Sequence, residues 1–190
     1  MRVSREQATR NRQNVIDVAS RLFREHGFDG IGLKDLMKSA GLTQGAFYKQ
    51  FASKEDLIAQ ASQRALGGST EQWIEATEKN PDNPLEAAVA FYLSKDHQEA
   101  RMDGCPIVAL GADAARQSPD VKASFEAGVK AHLDVLGQMI SAASEAEREE
   151  KSIAILSLMV GALTLARVVN DPEMAKSFLD AAAKKVREIA

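Results

Sequence analysis

Four prolines in this chain stand at the head of apolar stretches with a helical period: Asn83-Pro84, Cys105-Pro106, Ser118-Pro119 and Asp171-Pro172. The fixed φ and missing N–H of proline suit the first position of a helix and hardly any later one. Each pair therefore predicts a helix start. Leu85, Ala88, Val89 and Tyr92 share one face after the first. The second opens a helix to about residue 116. Phe125, Val129, Leu133, Leu136 and Ile140 follow the third, and Met174, Phe178, Leu179, Ala182 and Val186 the last. Residues 145–169 read as one long helix, charged at its head and apolar on most faces beyond. The polar run 97–104 is expected to be a loop.

The N-terminal part carries shorter signals of the same kind. Val15, Val18, Ala19, Leu22 and Phe23 recur at helical spacing in a first helix over 4–26, which Gly27 ends. A second covers 33–40, with Leu36 and Met37 inward and Gly41 at its end. Thr43 is placed to cap a third over 44–50, with Phe47 on the inner side. Ser53-Lys54-Glu55-Asp56 nearly matches a capping box and opens a fourth, through Leu57, Ile58 and Ala61. Gly67-Gly68 costs about 2 kcal/mol against alanines within a helix, so that helix either ends there or continues through a soft point. Few β-branched runs, no hairpin signal and no repeat accompany these helices. The expected fold is all-α with about nine helices: a three-helix head over 1–54 and a helical-bundle body over 55–190.

Charge divides along the same line. Residues 1–66 hold 11 Lys/Arg against 7 Asp/Glu, while the rest hold 13 against 20, within a net charge of −3. A basic head on an acidic body suits a head that meets a polyanion. His26, His97 and His132 show no metal-ligand spacing with one another or with the single cysteine, so no metal and no cofactor are expected. No paired carboxylates on a shared face, Ser/His/Asp set or phosphate loop points to an enzyme. The start of the chain lacks an apolar signal core, and Ser157, Gly161, Thr164 and Arg167 interrupt the longest apolar run. A cytoplasmic protein without a membrane span is expected.

Residues 41–57, GLTQGAFYKQFASKEDL, concentrate chemistry in a segment too short to build much core. Two short helices joined by a glycine-led turn form a helix-turn-helix, whose second helix enters the major groove. Gly45 lets backbone approach a phosphate, and Tyr48 and Lys49 can hold one. Lys54 stands at a helix N-terminus that already favours an anion, and Gln44 and Gln50 are able to read base edges.

The spacing in that segment, with VIDVASRLFREHGF before it, resembles the TetR family of bacterial repressors over roughly a third of the chain. GCPIVALGADAA and VGALTLARVVNDPE resemble one branch of the family more loosely. The resemblance implies a homodimer that holds double-stranded operator DNA and leaves it when a small-molecule inducer binds the C-terminal domain. It implies groove and backbone contacts at Thr43, Gln44, Gly45, Ala46, Tyr48 and Lys49, with a phosphate on Lys54. Two departures stand out. Gly32-Leu33 replaces the hydroxyl residue that commonly opens the second helix, with Lys34 as the nearest substitute for the lost phosphate contact. Gln50 stands where a histidine commonly follows.

In the body, the helix over 145–169 has more apolar surface than one chain's core needs. Together with the last helix it is expected to meet its own copy in a two-fold four-helix interface. Candidate pocket residues are Trp73, Phe91, Tyr92, Ile107, Leu110, Phe125, Leu133, Leu136 and Met139, favouring an apolar inducer. Cys105, as a cap before Pro106, lies in a helix N-terminal field that lowers thiol pKa, with Arg101 assisting and Asp103 opposing. It reads either as an electrophile-sensing thiol or as a buried cap. Gly67-Gly68 is a candidate bend through which the inducer swings the head. The rival reading is a small-ligand-binding helical protein without useful DNA affinity.

Overall fold

A computed structural model describes residues 4–190, all-α, with no strand among them. The helices are α1 (Arg5–His26), α2 (Leu33–Ser39), α3 (Gln44–Phe47), α4 (Lys54–Glu78), α5 (Pro84–Tyr92), α6 (Lys95–Glu99), α7 (Pro106–Ala114), α8 (Pro119–Gly137), α9 (Glu145–Val168) and α10 (Pro172–Ile189). All four Asx/Ser/Cys–Pro pairs begin helices, with the proline in the first turn. The helix not foreseen is α6, which runs into the first three residues of the stretch expected to be a loop. Ser94 caps it, its Oγ accepting from the His97 N–H at 3.1 Å, and His97 is buried. A polar run was folded because its histidine and cap are satisfied internally.

Other boundaries differ in detail. α3 is a single turn that relaxes over 48–50, although the Phe51 N–H still donates to the Phe47 carbonyl at 3.0 Å. Thr43 precedes it without a side-chain capping bond, unlike Ser53, whose Oγ accepts from Asp56 N–H at 3.1 Å. The reciprocal bond of that box runs from Ala52 N–H to Asp56 Oδ2 at 3.0 Å. α8 stops at Gly137, where Arg148 takes over two freed carbonyls, Gly137 at 2.7 Å and Ile140 at 2.9 Å. α4 runs unbroken through Gly67-Gly68 for 25 residues.

Apolar faces gather into two cores. The first joins α1, α2, α3 and the start of α4 around Val15, Phe23, Phe28, Leu36, Met37, Phe47, Phe51 and Leu57. It continues without a gap to Leu66, Leu110, Ala114, Val121 and Phe125, so the head rests on α7 and α8. The second core lies among α4, α5, α8, α9 and α10, around Trp73, Tyr92, Leu136, Ile155, Met159, Leu163, Leu179 and Val186. α4 crosses α8 where Gly128 admits Leu66; a Cβ there would lie 2.7 Å from Leu66 Cδ2. α9 is long and apolar enough to cross a membrane by length and composition alone. One face of it, Ile155, Leu156, Met159, Ala162, Leu163 and Ala166, packs into the second core.

Candidate nucleic-acid interface

Positions 43–50 divide into one anchored side and one open side. Phe47 is buried, stacks on Phe51 with ring centres 5.3 Å apart, and holds the short helix to the head. Outward from that anchor, Thr43, Gln44, Gly45, Tyr48 and Lys49 are exposed, and Ala46 is half-buried against the core. Tyr48 is 69% exposed although its ring packs edge-on against Phe47. Its hydroxyl, left in water, is free to donate a hydrogen bond to a phosphate oxygen. Lys34 is exposed on α2. Lys54 begins α4, with Asp29 Oδ1 at 3.7 Å from its Nζ.

Gln50 does not join that open side. The residue is half-buried, and its side-chain Oε1 is buried without a partner. Its backbone carbonyl accepts from Arg12 Nε at 3.3 Å, and the Arg12 guanidinium lies 5.0 Å over the Phe51 ring. Asn14 Nδ2 donates to the Ala40 carbonyl at 2.8 Å, at the C-terminal end of α2. These two α1 residues set the recognition segment and were missed from sequence. The available signal was general: the last carbonyls of a helix need donors, and neighbouring polar side chains on α1 can supply them.

The candidate pocket residues sit mostly in packed interior. Trp73, Tyr92, Cys105, Leu110, Leu136 and Phe125 are buried, Phe91, Ile107 and Leu133 are half-buried, and so is Met139. Leu133 also lines an open groove of about 730 Å³ between α8 and α9, with Lys130, Gln138, Arg148 and Glu149. Trp73 and Tyr92 meet edge-on at 5.2 Å, and Trp73 meets His132 at 5.0 Å. Around them His97 takes Nδ1 to the Tyr92 carbonyl (2.7 Å) and receives the Cys105 N–H on Nε2 (3.0 Å). His132 takes Nδ1 to the Gly128 carbonyl (2.8 Å) and Nε2 to Ser69 Oγ (3.2 Å). A carbonyl can only accept, so each ring carries a proton on Nδ1, and His97, whose Nε2 accepts an N–H, is neutral. Burial lowers both histidine pKa values. Trp73 Nε1–H is buried with no hydrogen-bond partner, and the buried Tyr92 hydroxyl has only the Cys105 thiol beside it.

Of the two readings of Cys105, the structure favours the buried cap, and the expected lowering of its pKa is reversed. The residue does cap α7, but the thiol is fully buried, and burial pushes its pKa up. The Tyr92 hydroxyl and the first N–H groups of α7, at Val108 and Ile107, pull the other way and do not overcome it. Arg167, rather than Arg101, is the arginine whose charge reaches the sulfur, and Asp103 is engaged by Arg21 through two bonds of 2.9 Å. A buried thiol is inert beside an exposed thiolate. Among the described residues no group of three or more His, Cys, Asp or Glu is arranged to hold a metal ion.

Residues 15–61 match the family of bacterial regulatory proteins, tetR family. The chain is 26% identical over 132 residues to the HTH-type transcriptional repressor NemR of Escherichia coli (strain K12), covering 68% of this chain and 66% of that one, just under two thirds of its length. It is 34% identical over 84 residues to the HTH-type transcriptional regulator AcrR of Shigella flexneri, covering 44% of this chain and 39% of that regulator. The crystal structure of reduced E. coli NemR superposes with a TM-score of 0.78 at 21% identity, over 94% of this chain and 96% of that one. A TetR-family regulator from Cytophaga hutchinsonii gives 0.80 at 16% identity over 99% and 98%. At such identities these structures share the fold.

Proposed function

The head of this chain is a TetR-family head, and on that premise we propose a homodimeric transcriptional repressor that releases its operator when a small molecule binds. Residues 1–54 read double-stranded DNA, and residues 55–190 bind the inducer and dimerise. The observation that carries the reading is the open side of α3, where Thr43, Gln44, Gly45, Tyr48 and Lys49 stand in solvent on a helix anchored by Phe47. Gln44 is the candidate base reader. Ala46, Tyr48, Lys49, Lys34 and Lys54 contribute backbone contacts and charge to the phosphates.

Dimerisation is supported by the outer faces of α9 and α10, where Ile153, Leu165, Val168 and Met174 are exposed apolar residues. Gly161 lies among them with open space where a Cβ would stand, so a partner helix can approach closely. An isologous pairing there sets two heads on two half-sites. The inducer site is proposed in the second core, around Trp73, Phe91, Tyr92, Leu133 and Leu136, on the border that Ile107, Leu110 and Phe125 share with the head. Its support is the buried donor Trp73 Nε1–H, which has no acceptor and suits an uncharged, largely apolar ligand carrying an acceptor oxygen. We place the protein in the cytoplasm and assign it no catalytic role.

Selection of bound duplexes from a random DNA pool at near-physiological salt tests the reading. A two-fold symmetric motif with half-sites about 34–36 Å or a multiple apart is expected. Weak salt-sensitive binding without an enriched motif would leave a helical ligand-binding protein instead.

A further inference from the structure

We infer that the cleft between α1, α7 and α9 is a second small-ligand site, for a molecule bearing an oxyanion, held by Arg24, Arg101 and Arg167. The cleft has a volume of about 220 Å³ and is completed by Glu25, Val108, Ala109, Thr164 and Val168. It lies on the outer surface, apart from the core pocket proposed for the inducer.

Charge is the first argument. The body is acidic, yet this cleft gathers three guanidinium groups against the single carboxylate of Glu25. Six other arginines, Arg10, Arg21, Arg64, Arg116, Arg148 and Arg187, each have a carboxylate within 4.0 Å. Among the described residues none of Arg24, Arg101 and Arg167 forms such a pair. The neighbouring cleft on the far side of Arg24 shows the contrast: there Arg21 is neutralised by Asp103 and Arg64 by Asp17.

Preorganisation is the second. Arg24 donates from Nε to the Ser20 carbonyl (3.0 Å) and from Nη1 to the Gly104 carbonyl (3.0 Å). Arg167 donates from Nε to the Gln98 carbonyl (3.0 Å) and from Nη2 to the carbonyls of His97 (2.8 Å) and Ala100 (3.3 Å). Carbonyls fix a guanidinium in place without neutralising it; the charge of Asp103, itself held by Arg21, offsets only part of that of Arg24. Arg24 Nη2 and Arg167 Nη1 have no protein acceptor, and Arg101 is exposed with its whole side chain uncommitted. Burial lowers the pKa of both Arg24 and Arg167, the mark of cations held partly out of water. Fixed, part-desolvated guanidinium groups are what carboxylate and phosphate recognition requires. Val108 and Ala109 give the cleft an apolar wall for a short tail.

Calorimetric titration of the full chain, without DNA, with inorganic phosphate and separately with hexanoate at fixed ionic strength in chloride buffer tests the site. Saturable binding of either is expected; hexanoate ahead of phosphate identifies a carboxylate ligand, and the reverse order a phosphorylated one. R101Q should weaken binding about tenfold, the loss of one charge-assisted hydrogen bond, and leave the melting temperature unchanged. E25Q should strengthen it. No saturable binding of either probe, or R101Q binding as wild type does, would overturn the site. Because no operator is present, neither result depends on the repressor reading.

Discussion

Nothing lies within 4 Å of where a Cβ would stand at Gly45, so the fold has no use of its own for glycine there. Gly45→Ala should keep or slightly raise thermal stability, since alanine is the better helix residue by about 1 kcal/mol. Operator affinity should fall about tenfold, the loss of one close phosphate contact, as read by fluorescence anisotropy. Equal affinity would remove Gly45 from the interface. The buried histidines make a second prediction. Their native pKa values lie below the ordinary value near 6.5, so the unfolded chain takes up protons first. The stability that neutral His97 and His132 contribute is fully present above pH 6.5 and is lost as pH falls through their lower native values. The melting temperature should be flat from pH 7 to 8 and drop below about 6.5. At this scale the sequence was legible where a side chain faces outward and opaque where a partner decides its orientation. Tyr48 and Lys49 face solvent, whereas the Gln50 side-chain oxygen is buried and its backbone carbonyl accepts from Arg12, 38 positions earlier. For Cys105 the helix N-terminus was readable but the burial around the sulfur was not, which is why sequence alone left two readings open. Cys105→Ser should therefore leave any oxidant response of DNA binding as it is in the wild type.

Helices announced themselves through proline starts, caps and period, and every one of at least seven residues was foreseen. The element missed, α6, has five residues and no apolar face, and exists because His97 spans the Tyr92 carbonyl and the Cys105 N–H. That is a tertiary cause and leaves no periodic trace. The glycines of α4 and α8 look alike in sequence and differ in space. A Cβ at Gly67 meets nothing, and one at Gly68 only the flexible end of Arg64. One at Gly128 runs into Leu66. The double change Gly67→Ala with Gly68→Ala should thus stabilise the protein, by up to about 2 kcal/mol. Gly128→Ala should destabilise it by about 1–3 kcal/mol as the α4–α8 contact is forced apart. Denaturant unfolding measures both, and a loss of stability in the α4 double variant would show that the helix needs its glycines.

For the whole molecule, the unsatisfied surface is the outer face of α9 and α10. Leu165→Asp places a charge in the proposed interface, where an unpaired charge is costly to bury. Sedimentation should show dimers of the wild type and monomers of the variant with unchanged helix content; a monomeric wild type would sink the arrangement. The division of charge between head and body was legible at this scale, but the continuity of the first core into α7 and α8 was not, because it depends on which helices cross. The uninterrupted run of α4 has a geometric consequence. At 1.5 Å per residue its 25 residues form a rod of about 37 Å, one end in the second core and the other at Lys54 beside the recognition segment. Tilting such a rod by about 5° about its buried end displaces the other by about 3 Å, close to the 3.4 Å between successive bases on one strand. In the proposed dimer a tilt of that size, carried over to the head, is thus enough to put the reader one step out of register with its half-sites.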